Sequence, residues 1–196
     1  DDVRKSMLLK ADEVTALRAQ SLTDGCATLL SAARILRERL DGGGRLIALG
    51  NGGSATDAMD VVADFHPPLF GGPARRALDL TEDTGIITAV ANDIGTPEIF
   101  QRQGIAYGRE GDVLLALSTS GNSRSILEAL KEARKRKLVT MALVGYDGGN
   151  VAAQALADHI IVTRSQNIPR IQEAQASVYH VLRELVELAA PQTPAP

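Results

Sequence analysis

With 196 residues, 44% of them hydrophobic, 3% aromatic and no tryptophan, the chain suits one globular domain. Its 24 acidic and 21 basic side chains give a net charge of −3, which removes the electrostatic case for a nucleic-acid partner. The longest apolar runs, such as Ile86–Ala91 and Val113–Leu117, fall far short of the roughly 20 residues that cross a bilayer, and no signal-peptide core follows Asp1, so a cytoplasmic protein without a membrane partner is expected.

Residues 1–40 read as helical, with Val3, Met7, Val14, Leu17, Leu29, Leu30, Ala33, Leu36 and Leu40 near helical spacing and Asp24-Gly25 expected to split the segment into two helices. The lone Cys26 excludes an intrachain disulfide or a thiolate zinc cluster and reads as buried helix filler. After Asp41-Gly42-Gly43-Gly44 the pattern changes to short apolar runs, each followed by small polar residues and an amphipathic stretch. Strands are predicted at 45–49, 77–80, 113–117, 139–144 and 159–162. Helices are predicted at 55–65, 84–91, 97–107, 123–136, 151–157 and 169–188. Runs such as Val-Leu-Leu-Ala-Leu lack polar alternation, so both faces of the sheet should be covered, as in a doubly wound parallel α/β fold. Residues 1–190 then form one domain, and the proline-rich 191–196 are expected to be a disordered tail.

Two loops of small residues follow strands and open helices. Gly50-Asn51-Gly52-Gly53-Ser54 lets backbone amides face a ligand at a helix N-terminus. With Ala55 it also satisfies the dinucleotide fingerprint, but the acidic partner expected about 20 residues on is missing, since Asp79 comes distinctly later. Ser118-Thr119-Ser120-Gly121-Asn122-Ser123 gathers four hydroxyls and several amides that suit a phosphate; helix capping accounts for Asn122 or Ser123 alone. Asp57, Asp60 and Asp64 lie near one helix face, and Asp60 and Asp64, one turn apart, can converge on a metal or a substrate carbon; a solvated acidic face is the alternative. Gln172 and His180 sit two turns apart with the small Ala176 between them, leaving a groove, although a packed helix histidine is the usual reading of His180.

Leu49–Met59, Ala91–Gly95, Gly108–Ser123, Gly145–Gly149 and Arg170–Glu173 together resemble the sugar isomerase (SIS) fold, and more narrowly its phosphoheptose isomerase branch. The resemblance covers about residues 1–189. It implies a flavodoxin-like five-stranded parallel sheet, and a homotetramer held by the N- and C-terminal helices with active sites between subunits. It also implies a sugar phosphate isomerised between aldose and ketose through an enediol, sedoheptulose 7-phosphate being the family substrate. Ser118, Thr119, Ser120 and Ser123 would bind the phosphate. Asn51, Gly52, Gly53, Ser54, Asn92, Asp93 and Gln172 would contact the sugar, although Asn92-Asp93 is also ordinary turn chemistry.

In the family a glutamate and a histidine exchange the protons, and these positions match Asp64 and His180. The implied metal set is Asp60, Asp64, Gln172 and His180, with a histidine of the family replaced by Asp60. Both aspartates are departures. Aspartate is one methylene shorter than glutamate, so the base would sit back by about 1.5 Å. Three oxygens and one nitrogen favour manganese or magnesium over the family's zinc. Pro169 stands where an acidic residue often precedes the arginine and should open the last helix at its first position. His66, followed by Pro67 and Pro68, reads as a rigid loop residue directed away from the helix. The competing function is a non-catalytic SIS protein that binds a phosphosugar or a protein partner, like the DnaA initiator-associating protein. His180 favours the enzyme.

Overall fold

The structure is a computed structural model in which residues 2–188 are described. The elements run α1 (Asp2–Asp41), β1 (Leu46–Gly50), α2 (Gly53–Phe65), β2 (Ala77–Asp79), α3 (Thr84–Asp93), α4 (Ile99–Tyr107), β3 (Val113–Ser118), α5 (Arg124–Lys135), β4 (Val139–Gly145), α6 (Gly149–Ala153), β5 (His159–Thr163) and α7 (Ile168–Leu188). A 3₁₀ turn at Thr96–Glu98 carries Pro97 into α4. All five strands are parallel, in the order β2-β1-β3-β4-β5. This is the doubly wound arrangement expected, and its topological switch point lies between β1 and β3.

The central strands bury both faces. Leu46 and Ala48 on β1, Val113, Leu115 and Leu117 on β3, and Met141 and Leu143 on β4 pack against α1, α2 and α7 through Leu36, Phe65, Val178 and Leu182. The alternate residues Ile47, Leu49, Leu114, Ala116, Ala142 and Val144 meet Phe100, Ile126, Leu130 and Val151 on the other side. Period-two alternation with apolar residues at every position is what a sheet covered on both faces requires.

Helix α1 corrects the expected break at Asp24-Gly25: it is continuous for 40 residues. Gly25 is buried, and a Cβ there would lie 3.0 Å from Ile161 Cγ2 on β5, so the glycine permits close helix–sheet approach. Asp24 stays within the helix and accepts a hydrogen bond from Gln20 Nε2 at 2.8 Å. Cys26 is exposed, contrary to the expectation of burial, because it falls just outside the stripe formed by the buried positions Gly25, Leu29 and Ala32. Ser21 is the first buried residue of α1. The preceding turns, about 28 Å of helix at 1.5 Å per residue, leave Val3, Met7, Leu8 and Leu9 exposed. Helix α6 also ends earlier than expected, at Ala153, with Ala155 at φ 47°. The expected tail at 191–196 lies outside the described residues. Among these, no helix is long and apolar enough to cross a membrane.

Candidate active site

Strand β1 delivers the first loop, and β3 the second, on the two sides of the switch point. In a parallel sheet this is where ligands meet strand ends. The first loop is held by close backbone approach: a Cβ on Gly50 would lie 2.1 Å from the Ser54 carbonyl oxygen. Gly52 adopts φ 58° as the N-cap of α2, with no side-chain cap. Asn51 Nδ2 donates to Ser125 Oγ at 3.0 Å, tying the first loop to the start of α5. Gly53 faces α7, and a Cβ there would sit 2.0 Å from Gln172 Nε2, so the glycine is what admits the glutamine.

The second loop is folded on itself. Ser118 Oγ, buried, accepts from the Gly121 amide at 3.1 Å, and Ser120 Oγ accepts from the Asn122 amide at 3.2 Å. Gly121, at φ 63°, would clash with Gly148 if it carried a Cβ. Asn122 Oδ1 accepts from both the backbone and side-chain nitrogens of Asn150, each at 2.8 Å. Ser123 occupies the N-cap position of α5, yet its hydroxyl makes no capping bond. Capping therefore does not explain that serine. Its hydroxyl and the exposed N-terminus of α5 are placed where an anion is stabilised.

Ser120 and Asn122 share a cavity of about 540 Å³ with Tyr146, Asp147, Arg164, Ser165 and Gln166. Arg164 belongs to none of the motifs that the sequence displays. It directly follows β5, so the parallel topology carries it to the same edge as the serine loop. That placement after a strand was the available signal. Asn92 and Asp93 end α3, and the hydrogen bond of Asn92 Nδ2 goes to Asp93 Oδ1 at 2.7 Å.

The proposed acid and base do meet. His180 Nε2 stands 3.2 Å from Asp64 Oδ2. Both side chains keep access to water, at 55% and 40% exposure respectively, so each can exchange a proton with a ligand. They open onto a cavity of about 490 Å³ shared with Pro67, Pro68, Leu69, Arg183 and Glu184. No residue of the two loops lines that cavity.

Arg183 fixes the approach of the pair. Its Nε donates to the Asp64 carbonyl at 2.9 Å and its Nη2 to the Pro67 carbonyl at 3.0 Å, while the guanidinium lies over Phe65, 5.1 Å from the ring centroid. Pro67 thus turns its carbonyl toward α7. His66 ends α2, where its Nε2 lies 3.3 Å from the Ala77 carbonyl oxygen, as a loop residue. Pro169 takes the second position of α7, one later than expected, because the helix begins at Ile168; Asn167 Oδ1 accepts from the Arg170 amide at 3.4 Å.

The acidic row on α2 changes the local proton affinities. Burial, aided by the charge of Asp60, pushes the Asp57 carboxyl up to about 6, and its Oδ2 has no hydrogen-bond partner among the described residues. Burial, and then Asp57, Asp60 and Asp64, raise the Tyr179 phenol above its ordinary value. Of the four side chains implicated in metal binding, Asp64 and His180 touch, Gln172 lies against Gly53, and Asp60 is exposed one turn before Asp64. Among the described residues no three His, Cys, Asp or Glu side chains form a group that could hold an ion. The donor types, three oxygens and one imidazole nitrogen, nevertheless suit a hard divalent cation.

A parallel sheet with an amide-and-hydroxyl cradle at its switch point and a carboxylate–imidazole pair on flanking helices defines an α/β protein of the phosphosugar-handling class. Residues 11–145 match the SIS domain family. A phosphoheptose isomerase of Chlorobium phaeobacteroides is 44% identical over 165 residues, which is 82% of this chain and 72% of that protein. The phosphoheptose isomerase structure from Neisseria gonorrhoeae superposes with a TM-score of 0.87 at 31% identity, covering 95% of this chain and 99% of the other. That from Francisella tularensis gives 0.88 at 28% identity, covering 95% and 98%. The chain belongs to the phosphoheptose isomerase family of SIS-domain proteins.

Proposed function

We propose that the chain is an aldose–ketose isomerase of sugar phosphates, with sedoheptulose 7-phosphate as its substrate, the sugar named by its family. The observation that carries the chemistry is the contact of Asp64 with His180, held by Arg183 on the helices that flank the two loops. The phosphate lies against Ser118, Thr119, Ser120 and Ser123, where α5 begins. Asn51, Gly52, Gly53, Ser54, Asn92, Asp93 and Gln172 are assigned to the sugar chain.

Isomerisation removes the proton from the carbon beside the carbonyl and adds one to the carbonyl oxygen, giving a cis-enediol. The Asp64 carboxylate accepts the first proton and a ring N–H of His180 donates the second. The Asp64 proton then goes to the neighbouring carbon, while His180 recovers its proton from the other enediol hydroxyl. No atom is gained or lost. A divalent cation, manganese or magnesium before zinc, is a further component of the proposal; Asp60, Asp64, Gln172 and His180 would hold it. It would polarise the substrate carbonyl.

A homotetramer belongs to the same reading. Val3, Met7, Leu8 and Leu9 leave the first turns of α1 with apolar surface that one chain does not cover. The cavity at the catalytic pair also lacks the phosphate loop, which supports completion of the site by a second copy. Light scattering at micromolar concentration is expected to give four chains, and a monomer would remove the shared site. The functional test is NMR of C5 to C7 sugar phosphates incubated with the protein, in EDTA and with each of the three metals. New anomeric signals from the seven-carbon substrate are expected. Binding without conversion under every condition would leave a non-catalytic phosphosugar-binding protein.

A further inference from the structure

The edge of the sheet opposite the two loops carries a cavity of about 510 Å³ that takes no part in the isomerase site. Its walls come from the segments that enter three adjacent strands: Gly42–Arg45 before β1, Arg76 before β2 and Arg109–Asp112 before β3, with Glu38 and Arg39 from the end of α1. At about 3.3 Å per residue, β1 and β3 hold this cavity about 17–20 Å from the phosphate loop.

Four arginines and three carboxylates line the cavity, and the pairing of those carboxylates leaves three of the arginines without an ion pair. Asp112, buried, pairs with Arg45 at 3.2 Å and accepts the Arg45 and Arg109 amides at 3.0 and 3.1 Å. Arg45 also donates to the Tyr107 carbonyl. Glu110 is engaged by Lys137 at 3.3 Å. Only Glu38 remains against Arg39, Arg76 and Arg109, none of which makes an ion pair among the described residues. Arg76 Nη1 donates to the Gly43 carbonyl at 3.2 Å, and Arg39 Nε is buried without a hydrogen-bond partner among the described residues.

The floor is backbone in close contact. A Cβ on Gly44 would lie 2.3 Å from the Gly111 carbonyl oxygen, while Gly43 and Gly111 hold φ 87° and 100°. Guanidinium forks on a concave backbone floor suit planar, two-pronged recognition of phosphoryl oxygens. Three guanidiniums on three separate chain segments, with Glu38 leaving a net charge of about +2, can divide between two linked phosphoryl groups, and the volume falls in the range of small-ligand sites.

We propose that this cavity is a second anion site, separate from the phosphate loop, that binds a small molecule carrying a diphosphate group. The test is calorimetric titration with inorganic diphosphate in EDTA at physiological salt. It compares the wild type, Ser118→Ala with Ser120→Ala, and Arg39→Gln with Arg109→Gln. The serine variant is expected to retain one diphosphate site per chain. The arginine variant should lose at least tenfold in affinity at that site while keeping its melting temperature and isomerase activity. Arg39→Lys with Arg109→Lys keeps the charge but not the fork, and should fall between; it also serves if the glutamine variant does not fold. Orthophosphate should bind the serine variant at least tenfold more weakly than diphosphate. Loss of all diphosphate binding in the serine variant, or unchanged affinity in both arginine variants, would overturn the proposal.

Discussion

Along α7, Gln172 and His180 offer polar groups to the first loop and to water, whereas Arg183 and Glu187, further along, bury their charges. His180 keeps a little over half of its side chain exposed and meets a single carboxylate. Arg183 and Glu187, each about 4% exposed at the side chain, pair with one another at 2.8 Å, and Glu187 also takes Arg75 at 2.9 Å. The same helix thus carries one member of the pair proposed to exchange protons and, one to two turns later, an ionic clamp that must not move. Arg183 joins the two, because its remaining nitrogens hold the Asp64 and Pro67 carbonyls. The proposed catalytic geometry, with its solvated side chains, is made reproducible by the backbone clamp behind it.

The largest effect should come from breaking the clamp. Glu187→Ala leaves Arg75 and Arg183 buried without their shared carboxylate, and should cost about 3–5 kcal/mol in denaturant unfolding. His180→Gln should leave the unfolding midpoint nearly unchanged. Equal destabilisation by the two substitutions would erase the distinction between the two stretches.

The middle effect concerns ligand binding. Ser118→Ala with Ser120→Ala should abolish the rise in melting temperature that a sugar phosphate produces, whereas His180→Gln should preserve most of it. A ligand-induced shift that survives loss of both hydroxyls would place the phosphate elsewhere.

The smallest effect is in acid. Burial alone would raise the Glu187 carboxyl, but hydrogen bonds and charge from Arg75, then Arg183, outweigh it and hold the group below its ordinary value of 4.5. The unfolded chain therefore binds the proton more readily. Stability from this group is complete above pH 4.5 and is lost as pH falls through the lower folded-state value. Urea midpoints measured from pH 6 downward should fall less steeply in Glu187→Gln than in wild type. Parallel curves would remove Glu187 as the source.

The legible part of the molecule was the part written in local pattern. Both loops announced themselves because glycines and hydroxyls directly follow apolar strands, and the sheet because every position of Val113–Leu117 is apolar. Gly25 misled because a glycine that lets α1 approach Ile161 has the same local signature as one that ends a helix. Cys26 misled because the burial of a helix face depends on what packs there, and that is set by tertiary structure. Arg164 and the arginines before β1, β2 and β3 were invisible for a related reason. They are scattered along the chain and become neighbours only through strand order. The meeting of Asp64 with His180 followed from the family resemblance. Its dependence on Arg183 needed the packing of α2 against α7.

The central claim is that Asp64 takes a proton from substrate carbon while His180 serves the oxygen, and isomerisation in D₂O tests it most directly. Wild-type protein should place deuterium on the carbon beside the carbonyl, seen by NMR, with turnover 10²- to 10⁴-fold faster than in Asp64→Asn or His180→Gln. The double variant should be little worse than either single one. Isomerisation without any deuterium entering substrate or product, at a rate unaffected by Asp64→Asn, would contradict the account.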